Sequence, residues 1–383
     1  MSTAHTSKKK IAVIENGLFS TYTMRDGLMQ FLLKEGYDVT ILTHTNSFVS
    51  QVQKTGLNVI NIGSGNLNPL KVSKYIINLY KALNKLQPDI CLTFSIRPAI
   101  WGNFITRYLD IPTITNITGV GPLFSSKNFA YRIARTIYRY ALKKTKKVFF
   151  QNYDDMNLFI DKEFVSKAIS ERIPGSGVDY HKFSPEPSED KPVNNFIFLF
   201  IGRLIKDKGI FEFVEAARCL KKKHPNILFN VIGPFWYQNL RSNTITKSDL
   251  QNWITEGLID YQGEKKDVRK FIAGADCIVL PSYREGTSNI LLEAASMEKP
   301  IVTTNTTGCK EIVEDGVTGF LCKVKDSVDL AKKMEKMFLL PQEQRNIMGE
   351  KARQKIIKEF DKQIVLNAYS EAINEVLYQN SGI

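Results

Sequence analysis

The stretch Asp276–Lys299, DCIVLPSYREGTSNILLEAASMEK, decides the fold. It begins with the continuous apolar run Cys277–Leu280, closed by a proline, as in a strand buried on both faces of a parallel sheet. After a short loop, Asn289–Met297 carries apolar residues at helical spacing. This order of strand, glycine loop and capped helix predicts an anion site of free backbone N–H groups at the sheet's carboxyl edge. The residues expected to form it are Gly286, Thr287, Ser288 and Asn289.

Two carboxylates flank this predicted anion site, Glu285 before the helix and Glu293 in its second turn. A carboxylate facing a phosphate would be repelled, so the useful role for each is to accept hydrogen bonds from hydroxyl groups. A nucleotide sugar offers hydroxyl groups on both sides of a diphosphate. The alternative is a glutamate that interacts with the helix dipole and a second one that is solvated.

A second loop of the same kind lies about 80 residues earlier. The apolar run Asn195–Ile201 leads into Gly202-Arg203-Leu204-Ile205-Lys206-Asp207-Lys208-Gly209, and an amphipathic segment follows. Arg203 and Lys208 are thereby predicted in a strand-to-helix loop, where two cations can neutralise a departing diphosphate. Two ordinary surface cations are the alternative.

Taken in order, these motifs resemble the retaining nucleotide-sugar transferases of glycosyltransferase family 4, which have the GT-B fold. An ordered set of motifs is far more specific than any one of them. The resemblance covers roughly residues 196–325 and rests on Gly202-Arg203, Lys208-Gly209, Val231-Ile232-Gly233, Tyr261-Gln262-Gly263, Ala275-Asp276, Leu280-Pro281-Ser282, Glu285-Gly286, Glu293-Ala294, Pro300-Ile301-Val302, Gly316 and Thr318-Gly319.

The resemblance implies an α/β architecture of two Rossmann-like, doubly wound parallel-sheet domains that face a cleft. It also implies that Arg203 and Lys208, next to Gly202, hold the donor diphosphate. Glu285 would contact the donor sugar and Glu293 the ribose, with Gly263 and Glu264 near the base. The donor would be a UDP-sugar, and no metal or other cofactor is expected.

The length of 383 residues predicts two domains, since one core rarely grows that large. Residues 1–184 are predicted to bind the acceptor and residues 185–360 the donor, with the proline-rich segment Pro185–Asn195 as linker. In GT-B proteins a last helix, here within residues 361–383, packs back on the first domain.

Composition and charge limit the location of the protein and its partners. The apolar runs are too short for a membrane span, no signal peptide is visible, and five scattered cysteines suit a reducing cytosol. Residues 1–184 contain 24 Lys and Arg against 12 Asp and Glu. Such a basic half suggests a polyanionic or membrane-surface partner, and simple solubility is the alternative. A nucleic-acid partner is not expected.

The first half alternates predicted strands and helices, which indicates a doubly wound sheet. They include a helix at Met24–Lys34, a strand at Asp38–Thr43 and a last strand at Val148–Gln151. Gly17 follows the first strand, where G-x-G-x-x-G is absent, so a nicotinamide dehydrogenase is disfavoured. Gly17 either lets a substrate approach the backbone or forms a tight turn. Arg97 closes a later strand, Ile90–Phe94, and is another candidate on the acceptor side.

The loop Thr118-Gly119-Val120-Gly121 places two glycines after a predicted strand, where a substrate can come close to the backbone. It looks like the Thr-Gly-Leu-Gly loop of the family branch that extends polyprenyl-diphosphate-linked oligosaccharides. Thr118, Gly119 and Gly121 are therefore acceptor-side candidates. None of the four histidines falls in this loop, so a histidine-assisted acceptor step is not expected.

Five basic residues in Phe129–Lys147 are spaced 3, 4, 4 and 3 apart, which predicts one stripe of a helix. They are Arg132, Arg135, Arg139, Lys143 and Lys146. Ile133, Ile137, Tyr140 and Ala141 are expected to pack inward. Like charges in a stripe repel each other unless an anionic surface faces them, so we expect this helix on the cytoplasmic face of the inner membrane. A solvated basic face is the alternative.

The sequence thus predicts a retaining, metal-independent glycosyltransferase that is cytoplasmic and peripheral to the membrane. It would move a hexose or N-acetylhexosamine from a UDP-sugar to a polyprenyl-diphosphate-linked sugar. The alternatives are a transferase with a soluble acceptor, a GT-B nucleotide-sugar epimerase and an inactive binding protein. The arginine, lysine and glutamate pattern speaks against the last two.

Overall fold

The computed structural model describes residues 8–45, 49–63, 68–121, 124, 129–187, 195–235 and 244–378. The chain divides into two units, Met1–Ser176 with Lys362–Ile383, and Gly177–Asp361. The division falls ahead of the predicted boundary between residues 184 and 185. Val178 already pairs with Asp361, and its N–H donates to the Phe360 carbonyl (2.9 Å). Within the predicted linker, residues 188–194 lie outside the described part of the chain.

Strands and helices alternate along most of the chain. The strands are β1 (Lys10–Ile14), β2 (Asp38–Thr43), β3 (Asn58–Asn61), β4 (Ile90–Phe94), β5 (Thr113–Ile117), β6 (Lys147–Phe150), β7 (Ser170–Arg172), β8 (Phe196–Ile201), β9 (Ile227–Ile232), β10 (Asp260–Tyr261), β11 (Cys277–Leu280), β12 (Ile301–Thr304) and β13 (Gly319–Cys322). The helices are α1 (Leu18–Met24), α2 (Asp26–Lys34), α3 (Val49–Gln53), α4 (Pro69–Leu86), α5 (Asn103–Tyr108), α6 (Phe129–Leu142), α7 (Tyr153–Asp161), α8 (Ile210–Lys221), α9 (Lys247–Thr255), α10 (Arg269–Gly274), α11 (Asn289–Ser296), α12 (Ser327–Leu339), α13 (Gln342–Glu359) and α14 (Lys362–Tyr378).

Each unit contains one sheet whose strand pairs are parallel. The order is β3-β2-β1-β4-β5-β6-β7 in the first unit and β10-β9-β8-β11-β12-β13 in the second. The order reverses between β1 and β4 and between β8 and β11, so each sheet has a topological switch point. Ligands of open α/β sheets bind at the carboxyl ends of the strands at such points. The predicted doubly wound architecture is confirmed.

In the first unit, both faces of the sheet are buried, which is why its central strands are apolar throughout. Ile11 and Val13 pack in one core with residues of α2 and α14, whereas Ala12 and Ile14 pack in another with residues of α4. Tyr369 of α14 is 1% exposed and its ring centroid lies 4.8 Å from that of Phe149. The last helix therefore belongs to the core of the first unit.

The second unit has one continuous core around β8, whose six residues are all buried. Phenylalanines of β8 pack against those of neighbouring elements, with ring centroids 5.7 Å apart for Phe198 and Phe229 and 5.5 Å apart for Phe200 and Phe213. This core fixes the switch-point strands that carry the candidate site.

Two expectations about the first unit are wrong. The predicted single helix Met24–Lys34 is broken at Arg25, whose φ of −120° is not helical, so that α1 ends and α2 begins there. Val148–Gln151 was expected to be the last strand of the first domain, but β7 follows it. β7 has three polar, half-buried residues at the sheet edge, so it lacks the apolar run by which a buried strand is predicted.

Candidate functional site

The loops after β8 and β11 lie side by side, because these two strands pair across the switch point of the second unit. The first loop holds Gly202, Arg203 and Lys208, and the second holds Ser282 and Glu285. The backbone N–H of Tyr283 donates to the Asp207 carbonyl (2.9 Å), which ties the two loops together. Residues about 80 positions apart in sequence are thereby brought to one sheet edge.

Glu285 is held through one of its two carboxylate oxygens. Lys208 Nζ forms an ion pair with Oε1, and Ser282 Oγ donates to the same atom (2.7 Å). The Lys208 and Glu285 side chains are 18% and 13% exposed, and Ser282 is fully buried. Both bonds end on Oε1, so Oε2 is left to accept a hydrogen bond from a ligand hydroxyl. Sequence reasoning missed Ser282 as a positioning residue, although it sits three positions before Glu285.

The backbone of Glu285 is fixed by the loop after β12. The Glu285 N–H donates to the Thr307 carbonyl (3.0 Å), and Gly308 has a φ of +82°. A Cβ added to Gly308 would lie 2.6 Å from the Glu285 backbone, closer than real contacts allow. Only glycine therefore fits at 308.

The predicted row of four free N–H groups at the start of α11 is wrong in one respect. The Ser288 N–H donates to the Gly308 carbonyl (3.1 Å), because the chain folds back on the loop after β12. Ser288 is the residue before the helix, but its side chain makes no capping hydrogen bond. Gly286 and Thr287 are half-buried beside it, and α11 begins at Asn289.

Glu293 lies in the second turn of α11, as predicted, and is half-buried. Within the described residues its carboxyl group forms no hydrogen bond or ion pair. Burial raises the pKa of Glu293 to about 7, the charge of Lys182 opposes this rise, and Asp267 adds to it. A carboxyl group in this state can accept hydrogen bonds from incoming hydroxyls.

The remaining donor-side candidates also lie at this sheet edge. The Gly202 N–H donates to the Ile232 carbonyl (3.0 Å), and the Gly263 carbonyl accepts from the Gly233 N–H (3.1 Å). Arg203 and Glu264 are exposed on the loops that follow β8 and β10.

In the first unit, sequence reasoning missed a buried ion pair after β1. Glu15 is 1% exposed and lies 2.8 Å from the guanidinium of Arg25. Burial raises the pKa of Glu15, and the Arg25 charge opposes this rise. Glu15 Oε2 also accepts a bond from Ser20 Oγ (3.3 Å), so the pair anchors the loop that holds Gly17. The sequence feature that could have indicated this pair is a carboxylate directly after a buried strand.

The acceptor-side candidates meet at the switch point of the first unit or close to it. Gly17 follows β1 with φ −179° and ψ 152°, an extended conformation, so the tight-turn interpretation is wrong. The hydroxyl oxygens of Ser95 and Thr118, after β4 and β5, lie 3.2 Å apart.

Glycines continue this acceptor-side loop. Gly119, with φ +136°, adopts a backbone conformation that favours glycine, and Gly121 is exposed. Arg97 is half-buried just beyond Ser95 and precedes a π-helical turn, Pro98–Gly102. The two residues that follow this loop, Pro122 and Leu123, lie outside the described part of the chain.

The predicted five-residue basic stripe is wrong as a feature of one helix. α6 ends at Leu142, so Lys143 and Lys146 lie beyond it, because the Lys146 N–H donates to the Thr113 carbonyl (2.9 Å) as β6 joins the sheet. Arg139 bonds to the Lys162 carbonyl (2.7 Å). Arg132 is exposed and Arg135 half-buried.

Two residues of α6 that were expected to pack inward are exposed instead. They are Ile133 (47%) and Tyr140 (46%). The Arg107 guanidinium of α5 stacks over the Tyr140 ring at 3.9 Å, and the ring centroids of Phe104 and Tyr140 lie 6.1 Å apart. The outward face of α6 is therefore both aromatic and basic.

The described residues contain neither a metal-binding cluster nor a membrane-spanning helix. No cluster of three or more histidine, cysteine, aspartate or glutamate side chains in that part of the chain is arranged to hold a metal ion. Nor is any helix there long and apolar enough to cross a bilayer.

Two parallel sheets with polar residues at both switch points define a GT-B-type protein. Residues 184–355 match the family model described as glycosyl transferases group 1, and residues 10–152 match the model described as glycosyl transferase 4-like. The two matches together span most of the chain, which is therefore a glycosyltransferase, and its resemblance to glycosyltransferase family 4 is confirmed.

Two characterised relatives extend over nearly the whole chain. One is the N,N'-diacetylbacillosaminyl-diphospho-undecaprenol alpha-1,3-N-acetylgalactosaminyltransferase of Campylobacter jejuni, 24% identical over 96% of this chain and 99% of its own. The other is the UDP-Gal:alpha-D-GlcNAc-diphosphoundecaprenol alpha-1,3-galactosyltransferase of Escherichia coli, 25% identical over 94% of this chain and 95% of its own.

Solved structures support the fold. The HepE protein of Anabaena, in complex with UDP and glucose, has a TM-score of 0.80 at 16% identity and covers 96% of this chain and 100% of its own. A glycosyltransferase of Rickettsia africae has a TM-score of 0.78 at 20% identity, over 97% of this chain and 99% of its own.

Proposed function

We propose that this glycosyltransferase moves a hexose or N-acetylhexosamine from a UDP-sugar to a sugar linked to a polyprenyl diphosphate, with retention of configuration. Two relatives over nearly the full length have names that specify a diphospho-undecaprenol acceptor, and one of them uses UDP-galactose. The second unit would hold the donor and the first unit the acceptor.

The observation that carries this proposal is the arrangement of Glu285. Its Oε1 is held by Lys208 and Ser282, so its Oε2 can accept a bond from a hydroxyl of the donor sugar. Glu293, with a buried and unpaired carboxyl, would accept bonds from the ribose. The positive charges of Lys208 and Arg203 would stabilise the diphosphate as it leaves.

For retention, the acceptor hydroxyl would attack from the face that the diphosphate leaves. The leaving phosphate oxygen then takes the proton of that hydroxyl as the new glycosidic bond forms. Arg203 and Lys208 favour this step because the charge that develops on the leaving group lies against two cations. The reaction in this form requires no metal ion, which EDTA tests directly.

We also propose that the first unit binds the cytoplasmic face of the inner membrane, where a lipid-linked acceptor is found. The surface concerned comprises the outward faces of α4, α5 and α6, and we call it the basic-aromatic surface. These three helices contain no aspartate or glutamate. Its members include Lys71, Lys74, Lys81, Lys85, Phe104, Arg107, Tyr108, Arg132, Ile133 and Tyr140.

Exposed aromatic side chains connect these helices. The ring centroids of Tyr80 and Tyr108 lie 6.0 Å apart, and Tyr108 is 75% exposed. Basic side chains attract anionic lipid head groups, and aromatic rings enter the interfacial region. This surface supports membrane binding better than the predicted stripe on α6 alone.

The decisive test is UDP release from a panel of UDP-sugars, with and without a polyprenyl-diphosphate-linked sugar, in the presence and absence of EDTA. Wild type should release UDP only with the acceptor, EDTA should have no effect, and Glu285→Ala should be inactive. Glu215→Ala, which alters an exposed glutamate of α8, is the matched control.

Other outcomes would redirect the assignment. Release with a soluble sugar but not with a lipid-linked one would replace the acceptor class. Conversion of the UDP-sugar without any acceptor would indicate an epimerase. The anomeric configuration of the product, measured by NMR, tests retention.

A further inference from the structure

Arg97 is a half-buried cation whose counter-charge is not supplied by any of the residues that the structure describes. Burial lowers the pKa of its guanidinium, and within the part of the chain that the structure describes it forms no hydrogen bond or ion pair. Glu15, the carboxylate at the same switch point, is paired with Arg25 instead (2.8 Å). A desolvated arginine is costly unless an anion compensates it, so its environment points to an anionic ligand.

Tyr75 provides a second, independent sign of a ligand beside Arg97. It lies on α4, is only 4% exposed, and its hydroxyl has no hydrogen-bond partner among the described residues. Burial raises the pKa of Tyr75, and the charge of Arg97 lowers it, so the two groups interact electrostatically. Buried hydroxyls are nearly always bonded, and an orphan of this kind calls for a missing acceptor.

Two further hydroxyl groups, those of Ser95 and Thr118, follow the carboxyl ends of β4 and β5. Ser95, two residues before Arg97, has a φ of +72°, and its Oγ lies 3.2 Å from Thr118 Oγ1. An arginine, a tyrosine hydroxyl and two short hydroxyl side chains are all donors, and no acceptor within the described residues satisfies Arg97 or Tyr75. Phosphate oxygens are acceptors only, and they match such a set of donors.

We infer that Arg97 and Tyr75 form a phosphate subsite at the switch point of the first unit, which binds the diphosphate of the acceptor. This inference rests on the proposed function, because it gives the acceptor's diphosphate a place in the protein. It is separate from the donor diphosphate, which Arg203 and Lys208 would hold in the second unit.

The subsite is tested by calorimetric titration of the full chain with farnesyl diphosphate and with inorganic diphosphate, at saturating UDP so that the donor site is filled. Wild type should bind both. Arg97→Gln should weaken binding about 10- to 100-fold, the range of a lost charged hydrogen bond. Arg97→Lys, which keeps the charge, should lose less than Arg97→Gln.

Tyr75→Phe gives a readout that a purely structural role would not produce. It should weaken diphosphate binding about 3- to 10-fold, while thermal unfolding of the free protein stays unchanged or moves upward, since an unbonded buried hydroxyl has been removed. The control is Lys9→Gln. Lys9 bonds to Asp89 (2.8 Å) just before β1 and β4, at the opposite edge of the same sheet.

The results separate this inference from the proposed function. If Arg97→Gln binds diphosphate as wild type does, or if wild type binds none, the subsite is wrong. Loss of UDP affinity in Arg97→Gln would reassign the arginine to the donor and also overturn the inference. If Arg97-dependent diphosphate binding is present but no lipid-linked sugar is an acceptor, the subsite stands and the proposed function fails.

Discussion

At the scale of single residues, the candidate donor site depends on groups that hold a glutamate rather than on the glutamate alone. Ser282 and Lys208 engage the Glu285 side chain, while Thr307 fixes its backbone. A carboxylate restrained in this way loses little conformational freedom when a ligand hydroxyl bonds to it. Small shifts of its supports should therefore affect activity more than stability.

Gly308 offers a direct test of that expectation. Gly308→Ala would place a Cβ 2.6 Å from the Glu285 backbone, so we expect kcat to fall about 10- to 100-fold through displacement of Glu285. Gly316→Ala is the matched control: its φ of +79° costs similar backbone strain, but no atom lies within 4 Å of the added Cβ. Equal losses of activity in the two variants would show that strain alone is responsible.

Glu293 should make stability depend on pH. Its pKa is about 7 in the folded protein and 4.5 in an unfolded chain, so between these values the folded state retains a proton that the unfolded state has released. Stability should then fall as pH rises through this window, by up to about 3 kcal/mol. In urea unfolding, the free energy of unfolding of Glu293→Gln relative to that of wild type should be higher at pH 8 than at pH 5. The same pH dependence of stability in both proteins would contradict the raised pKa of Glu293.

The sequence predicted the positions of these residues but not their partners. Glu285, Lys208 and Glu293 stand in recognisable motifs at the ends of strands. The pairing of Lys208 with Glu285 spans 77 residues, and the electrostatic interaction of Arg97 with Tyr75 depends on how α4 packs, so no local pattern contains them. The burial that raises the pKa of Glu293 is likewise a tertiary property.

At the scale of elements, predictions succeeded where apolar runs are long and failed where neighbours decide the boundary. β2, β4 and β11 have their predicted bounds because each is buried along almost its whole length. α6 was extended too far since basic residues continue its spacing, whereas the chain must leave the helix to place Lys147 in β6. β13 was not predicted, because its four residues follow a glycine turn and are too few to show a hydrophobic pattern.

The basic-aromatic surface predicts how strongly the protein binds membranes. Each lysine near an anionic surface contributes about 1 kcal/mol, so Lys74→Gln with Lys81→Gln should weaken binding to phosphatidylglycerol-containing vesicles by roughly 10- to 30-fold. Adding Tyr108→Ser should weaken vesicle binding further, but the salt dependence of binding should not change because tyrosine carries no charge. Lys221→Gln with Lys222→Gln, a double change on the second unit, is the control in a sedimentation assay. Unchanged binding of the first pair would exclude this surface.

At the scale of the whole molecule, chain order and structural units do not coincide. α14 follows the whole second unit in the chain, yet its residues Val365, Leu366 and Tyr369 complete a core of the first unit. The Tyr369 hydroxyl accepts a bond from Asn116 Nδ2 of β5 (2.8 Å), and its ring packs against Phe149. The first unit therefore lacks part of its core until α14, which follows the second unit, is present.

Tyr369→Ala should consequently destabilise the first unit alone. Removal of a fully buried aromatic ring leaves a cavity and costs roughly 3–5 kcal/mol, and here it also leaves Asn116 without its bond. Hydrogen exchange should then accelerate in β4 and β5, whereas β8 and β11 should keep the protection they have in wild type. Tyr378→Ala, which alters a half-exposed tyrosine at the end of the same helix, should leave both sheets protected. Faster exchange in both sheets of Tyr369→Ala would mean that the two units unfold as one cooperative structure, and that the core around α14 is not a separate source of stability.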